Sequence, residues 1–189
     1  MKSYLTNSDA CVVVNVARIS AAKNQVMLAK AITNLNKKGY KIEVFIIGNV
    51  KDQILKESIE SINSPYVHLI GPRPSPRVYM KAASVFTLSS VNEGMPITLI
   101  ECFSVGAIPI CTPVGGIVDM ISDGTNGILS KSCKQEDFEI ALERYMCLSN
   151  EDRENMKYES RESYSLYGMD SCTNNYLTYI NELRDGNNN

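Results

Sequence analysis

The chain has 189 residues, of which 44% are hydrophobic and 21% are charged, and its formal net charge is −2. These values predict one globular domain with a substantial core, and the nearly balanced charge disfavours nucleic acid as a partner. No apolar stretch approaches the roughly 18 residues of a membrane-spanning helix, and the first residues form no apolar signal core. The six cysteines include no C-x-x-C pair, so they indicate a reduced protein without a zinc site or redox pair.

Apolar runs alternate with helical periodicity along the chain. Short runs rich in valine and isoleucine predict buried strands, and apolar residues three and four positions apart predict helices. The predicted strands are 11–16, 42–47, 66–70, 85–88, 107–111 and 127–129. The predicted helices are 24–38, 51–62, 77–83, 96–105 and 117–121, followed by helix from residue 134 onward with breaks near Ser149 and Gly168.

This repeated alternation predicts an α/β fold, namely a Rossmann-like, doubly wound parallel sheet of about six strands with helices on both faces and further helices at the C-terminus. We expect a single domain over residues 1–189, in which the polar residues 185–189 form a disordered tail. The expected strand order is 3-2-1-4-5-6. Ligands of such sheets bind where the order reverses, so the loops after strands 1 and 4 should face each other across a crevice.

The loop after strand 4 carries one of two glutamates that lie eight positions apart, Glu93 and Glu101. Pro96 pre-sets φ for the first helical position, which places Glu93 before the helix and Glu101 just past its first turn. A helix N-terminus attracts anions, and carboxylates beside a bound phosphate are good acceptors for sugar hydroxyls. The alternative interpretation is that both carboxylates only complement the helix dipole, worth about 0.3–1 kcal/mol each.

The loop after strand 1 carries two cations, Arg18 and Lys23, and no glycine occurs between Asn15 and Asn24. A dinucleotide site would place G-x-G-x-x-G here, so an NAD or FAD cradle is disfavoured. A diphosphate in this position would need side-chain cations, which the planar guanidinium and the ammonium supply. The alternative interpretation is a solvated arginine and a first-turn lysine without functional importance.

Together these residues resemble the nucleotide-sugar-binding half of retaining glycosyltransferases of the GT-B fold, in particular family 4. Arg18 and Lys23 keep the spacing of the family's arginine and lysine, and Glu93 with Glu101 matches its E-x7-E signature. Residues 106–109 loosely resemble its G-x-P segment, and residues 115–116 and 123–127 resemble its Gly-Gly turn and D-G-x-N-G. The chain departs from the family pattern at Ala17, Asn24, Ala107 and Asp119.

The resemblance implies a role for each matching residue. Arg18 and Lys23 would bind the donor diphosphate and stabilise the departing nucleoside diphosphate. Glu93 would accept hydrogen bonds from the transferred sugar, and with the two cations it completes the expected catalytic set. Glu101 would hold the ribose hydroxyls. Further donor contacts are expected at Gly48, Ile70, Gly71, Pro72, Gly94, Met95, Pro96 and Ile97.

The implied activity is transfer of a sugar from a UDP-, GDP- or ADP-sugar to an acceptor hydroxyl with retention, in polysaccharide or glycolipid synthesis. No D-x-D or histidine cluster occurs, so we expect no metal and no other cofactor. The family's enzymes have two such domains, so the resemblance implies a C-terminal donor half that is inactive without its partner, an N-terminal acceptor domain. We expect a cytoplasmic location, with contact to the inner face of the plasma membrane only through that absent half.

Other functions stay open beside this one. The first is a non-catalytic nucleotide-sugar-binding or regulatory subunit that needs a partner domain. A GT-B epimerase or phosphorylase is a second, although no recognisable pyridoxal-phosphate lysine motif occurs. A dinucleotide oxidoreductase is a third, and the glycine-free first loop disfavours it. The single histidine, His68, lies inside an apolar strand and is predicted to be structural.

Overall fold

The computed structural model describes Leu5 and residues 9–186 of the chain. The strands are β1 (Cys11–Val16), β2 (Ile42–Ile47), β3 (Val67–Gly71), β4 (Val85–Leu88), β5 (Pro109–Cys111) and β6 (Ile128–Leu129). The helices are α1 (Gln25–Lys37), α2 (Gln53–Ser61), α3 (Pro76–Ala82), α4 (Ile97–Val105), α5 (Ile117–Met120), α6 (Gln135–Met146), α7 (Asn150–Tyr167) and α8 (Met169–Gly186). The predicted tail, 185–189, overlaps the last two residues of α8, and residues 187–189 lie outside the described part.

The six strands form one parallel sheet in the order β3-β2-β1-β4-β5-β6. The predicted fold class and strand order are therefore confirmed. The chain runs outward from β1 to β3 and then returns to the other side of β1 to begin β4. Asn15 of β1 is consequently paired with Ile46 of β2 on one side and with Thr87 of β4 on the other. The order reverses between β1 and β4, which fixes the position of the crevice.

Each face of the sheet buries its own apolar cluster, as expected for a doubly wound sheet. On one face Leu28 and Ile32 of α1 pack with Leu142 of α6 against the strands. On the other face Met80 of α3 and Phe103 of α4 are fully buried together with apolar strand residues. Burial of side chains of this size contributes roughly 1.5–3 kcal/mol each, so the sheet and its covering helices form a rigid base for the loops.

Several element ends differ from the prediction by one or two residues. Pro96, predicted as the first helical residue, is the N-cap of α4, and the helix begins at Ile97. Strand β5 begins at Pro109 and not at residue 107, because the N–H of Ala107 donates to Cys102 O at 3.2 Å and so still closes the end of α4. The predicted break near Ser149 is the capping box that starts α7.

His68 lies on β3, and its surroundings agree with a structural role. Its Nε2 is 2.7 Å from Oε2 of the buried Glu43, and its ring stacks on Phe45 with centroids 4.6 Å apart.

The last helix, α8, packs against α7. Its apolar residues Tyr176, Leu177, Ile180 and Leu183 remain 51–71% exposed. Of the helices in the described residues, none has both the length and the apolar character that crossing a bilayer requires.

Candidate functional site

A cleft of about 440 Å³ lies at the carboxyl ends of β1 and β4, where the strand order reverses. Its lining combines charged side chains with the backbone at the start of α4. The lining residues are Val16, Ala17, Arg18, Lys23, Glu93, Met95, Pro96, Ile97 and Thr98. A second depression of about 400 Å³ beside β3 has one charged residue, Glu60, in its lining and no facing cation. The charged cleft is therefore the better candidate.

An ion pair joins the two sides of the cleft. Lys23 Nζ lies 2.6 Å from Glu93 Oε1, although the two residues are 70 positions apart. Their side chains are 22% and 8% exposed, so the pair is shielded from water and still reachable from the cleft. The predicted meeting of the two loops is thus observed at hydrogen-bond distance.

The segment after β4 holds the loop that carries Lys23 through hydrogen bonds to backbone oxygens of that loop. A short 3-10 turn, Ala21–Lys23, follows the loop. The hydroxyl of Ser89 donates to Lys23 O at 2.9 Å, and the N–H of Val91 donates to Ala22 O at 2.9 Å. Both donors belong to the segment after β4, so the two loops are joined independently of the ion pair.

Two departures from the family pattern in this loop have a structural explanation. Asn24, which stands where the family commonly has glycine, has φ +51° and ψ +40°, in the left-handed region. Asparagine is one of the few residues that adopt this conformation readily. Ala17 is not among the residues with positive φ, so alanine adds no strain there.

The segment that carries Glu93 rests on the loop before α5. The N–H of Gly116 donates to Gly94 O at 2.8 Å. A side chain at Gly115, which has φ +52°, would place its Cβ 1.7 Å from Glu93 O. The absence of side chains at Gly115 and Gly116 therefore lets this turn approach the backbone of Glu93 closely and helps to position Glu93 in the cleft.

The start of α4 lines the cleft beside the ion pair. Pro96, its N-cap, supplies no side-chain hydrogen bond to the first turn. Amides of a first turn that lack such a cap carry partial positive charge and attract anions. The exposed Arg18 lines the same cleft and adds a second cation beside Lys23.

The structure brings half of the predicted donor contacts into the cleft lining. These are Arg18, Lys23, Glu93, Met95, Pro96 and Ile97. The other predicted contacts are Gly48, Ile70, Gly71, Pro72, Gly94 and Glu101, and they do not belong to the lining.

Gly48 and Gly71 lie at the same edge of the sheet, since the N–H of Gly48 donates to Gly71 O at 3.2 Å. Gly48 also abuts the first loop, because a Cβ there would lie 2.1 Å from Ala17 O. Glu101 is half-buried one turn further along α4. Asp119 lies on α5 outside the lining, and its carbonyl oxygen accepts from the hydroxyl of Tyr167 at 3.4 Å.

Sequence reasoning missed two polar residues behind the cleft. Ser90 donates to Glu93 Oε1 at 2.6 Å, and Thr112 donates to Ser90 O at 2.5 Å. Both are fully buried. A hydroxyl three residues before Glu93 was the available signal for Ser90, whereas nothing in the sequence pointed to Thr112.

Cys111 and Cys133 also lie near the site. Burial raises the pKa of the Cys111 thiol far above its ordinary value, and the charge of Glu93 adds to this effect. Burial likewise raises the pKa of Cys133, whose Sγ is 3.9 Å from Ser90 O. Both side chains are therefore thiols at neutral pH and not nucleophilic thiolates. Within the described residues, no cluster of three or more His, Cys, Asp or Glu side chains could hold a metal ion.

Comparison with known proteins gives concordant matches. The family model described as glycosyl transferases group 1 matches residues 1–163. D-inositol 3-phosphate glycosyltransferase of Corynebacterium kroppenstedtii is 27% identical over 146 residues, which cover 71% of this chain and 32% of that protein.

Solved structures share the fold at low sequence identity. A glycosyltransferase from Rickettsia africae superimposes with a TM-score of 0.85 at 16% identity, covering 96% of this chain and 50% of that one. The Anabaena protein HepE in complex with UDP-glucose gives a TM-score of 0.71 at 19% identity, covering 84% and 44%. The chain spans between 26% and 32% of the length of the curated relatives it matches.

Proposed function

Because the chain belongs to the family of glycosyl transferases group 1, we propose that it is the C-terminal, donor-binding half of a family 4 retaining glycosyltransferase. Such an enzyme transfers a sugar from a nucleoside diphosphate sugar to an acceptor hydroxyl. The observation that carries the proposal is the contact of 2.6 Å between Lys23 and Glu93 in a cleft at the reversal point of the sheet. A cation and a carboxylate in contact suit a ligand that joins a diphosphate to a sugar.

The chemistry follows from the charges around the cleft. The bond between the anomeric carbon and the β-phosphate oxygen breaks, and its electron pair stays on that oxygen. The acceptor oxygen bonds to the same carbon and gives up its proton to the departing phosphate oxygen. Lys23, Arg18 and the first amides of α4 stabilise the growing negative charge, and loss of one such donor typically costs about 2.7–4 kcal/mol.

The two glutamates serve the two sugars of the donor. Glu93 accepts hydrogen bonds from hydroxyls of the transferred sugar, and Glu101, one turn further along α4, holds the ribose. Backbone near Ile70, Gly71 and Pro72 borders the base, with Gly48 between base and phosphates. Neither a metal ion nor another cofactor is required, because the side-chain cations take the part that a divalent ion has in other transferases.

A separate N-terminal domain binds the acceptor, and the present domain alone is inactive. The enzyme acts in polysaccharide or glycolipid synthesis in the cytoplasm, and its contact with the inner face of the plasma membrane is made through the other half.

Titration calorimetry tests the donor site. UDP-glucose, GDP-mannose and ADP-glucose are each titrated into the 189-residue chain beside the corresponding nucleoside and nucleoside diphosphate. The ligands that share one base should bind. Lys23→Ala should weaken binding of that nucleoside diphosphate by about 30-fold or more and change binding of the free nucleoside little. Equal losses for both ligands would contradict the phosphate role, and absence of binding in every series would contradict the function.

A second candidate is a non-catalytic subunit that binds a nucleotide sugar while a partner performs the chemistry. It would use the same cleft, with Arg18, Lys23 and Glu93 in contact with the ligand. Donor hydrolysis or transfer is measured with and without an acceptor domain taken from a relative. Activity that appears on addition and disappears with Glu93→Gln supports the enzyme, whereas activity that persists with Glu93→Gln supports the subunit.

A further inference from the structure

We propose that Ser90 is a positioning residue that fixes the orientation of the Glu93 carboxylate, so that one oxygen stays inside the protein and the other faces the ligand. Oε1 remains engaged inside the protein, and Oε2 is the oxygen that accepts hydrogen bonds from the transferred sugar. This inference rests on the proposed function and assigns a task to a residue that lies outside the cleft lining.

The contacts of the carboxylate carry the inference. Glu93 Oε1 accepts from Lys23 Nζ and from Ser90 Oγ, both at 2.6 Å. Two short contacts occupy the two lone pairs of that oxygen. Within the described residues Oε2 has no hydrogen-bond partner, and it is not among the buried unpaired atoms. Because Glu93 lines the cleft, Oε2 is the oxygen with acceptor capacity left for a ligand.

Ser90 is itself held in one place, which a positioning residue requires. Its side chain is fully buried, and its carbonyl oxygen accepts from Thr112 Oγ1 at 2.5 Å at the end of β5. The adjacent Ser89 is fully buried too and donates to Lys23 O at 2.9 Å. Neighbouring serines thus fix the two members of the ion pair, one through a side chain and the other through the backbone.

The consequence is specific to the sugar half of the donor. Without the Ser90 hydroxyl, Oε1 regains a free lone pair and the carboxylate can rotate about its terminal torsion, for which rotation is soft. The hydrogen bonds to the sugar then lose their fixed acceptor. Lys23 keeps its backbone hydrogen bond from Ser89, so its contact with the diphosphate should be little affected.

Calorimetry on the 189-residue chain tests this with two ligands of the base series that binds, the nucleoside diphosphate and its sugar conjugate. Ser90→Ala should weaken the sugar conjugate by about tenfold, as expected for one hydrogen bond to a charged group, and change the nucleoside diphosphate less than about twofold. If the alanine variant does not fold, Ser90→Cys serves instead. Its side chain is close to serine in size but its S–H is a weaker hydrogen-bond donor, so it should show the same selectivity.

Two controls make the readout specific. Ser160 is also fully buried, and its hydroxyl donates to Ala107 O at 2.7 Å away from the cleft, so Ser160→Ala should show no selectivity. In a Glu93→Ala background, which leaves no carboxylate to orient, Ser90→Ala should add no further selective loss.

Each outcome decides one question. Equal losses for both ligands, or no loss for either, would overturn the role of Ser90 and leave the donor site in place. Failure of the unmodified chain to bind either ligand would instead overturn the proposed function and this inference with it.

Discussion

Gly115→Ala is the substitution for which the structure makes the sharpest prediction. Its Cβ would lie 1.7 Å from Glu93 O, and the backbone there has φ +52°. Restoring an ordinary contact of 3.4 Å would displace the Glu93 carbonyl by about 1.7 Å. A movement of that size breaks the contact of 2.6 Å between Glu93 and Lys23.

The expected cost has two parts. A left-handed conformation costs a non-glycine residue roughly 1–2 kcal/mol. Forcing extra atoms into a filled space typically costs about 1–3 kcal/mol more. Gly115→Ala should therefore lower the free energy of unfolding by about 2–5 kcal/mol. It should also weaken binding of the nucleoside diphosphate sugar.

Gly124→Ala is the matched control. Gly124 also has positive φ, +81°, but no atom lies within 4 Å of its would-be Cβ. It should therefore lose only the conformational part, about 1–2 kcal/mol. Urea unfolding followed by far-ultraviolet circular dichroism measures both variants, since the chain has no tryptophan. Equal destabilisation by the two substitutions would refute the close approach of the Gly-Gly turn to Glu93.

Two further predictions concern stability. Because Asn24 has φ +51°, Asn24→Ala should lower the free energy of unfolding by about 1 kcal/mol, while Asn24→Gly should not. A glycine variant that is less stable to urea than the alanine variant would contradict this. At Glu139 burial raises the pKa, but hydrogen bonds from Gln135, Lys38 and Asn34 outweigh it, so the pKa lies below its ordinary value of 4.5. The stability that the ionised Glu139 carboxylate contributes is therefore fully present above pH 4.5 and is lost as the pH falls through the lowered pKa. When the free energy of unfolding is measured against pH, Glu139→Gln should reduce this loss at acid pH, whereas Glu136→Gln, at an exposed position of the same helix, should not.

The sheet was predictable from sequence because its strands are buried on both faces. Such strands leave continuous apolar runs, and the extents of β1, β2 and β4 agree with the prediction residue for residue. A hydrogen bond that the pattern of apolar residues does not record can move the end of an element. The bond from Ala107 N–H to Cys102 O, which delays the start of β5, is such a case.

The meeting of Lys23 and Glu93 was predictable from the topology. Strand order alone placed the loop of Lys23 opposite that of Glu93, and topology carries this information across 70 residues. The contacts of Ser90 and Thr112 were not predictable, because a hydroxyl has three rotamers and its partner depends on the path of the loop. Only coordinates show that both hydroxyls point toward the same segment.

The ion pair in the cleft also restricts which ligands can bind well. An ammonium has three donors, so Lys23 can keep its contact with Glu93 Oε1 and still offer two N–H groups to phosphate oxygens. Arg18 adds a fork of donors, so the cleft lining carries two cations and one carboxylate. An anion without hydroxyls would use the cations and leave Glu93 Oε2 without a partner as water is displaced, which costs free energy. A ligand that carries a diphosphate and a sugar a few ångströms apart satisfies both halves at once. A nucleoside diphosphate that binds more tightly than its sugar conjugate would therefore count against this assignment of the cleft.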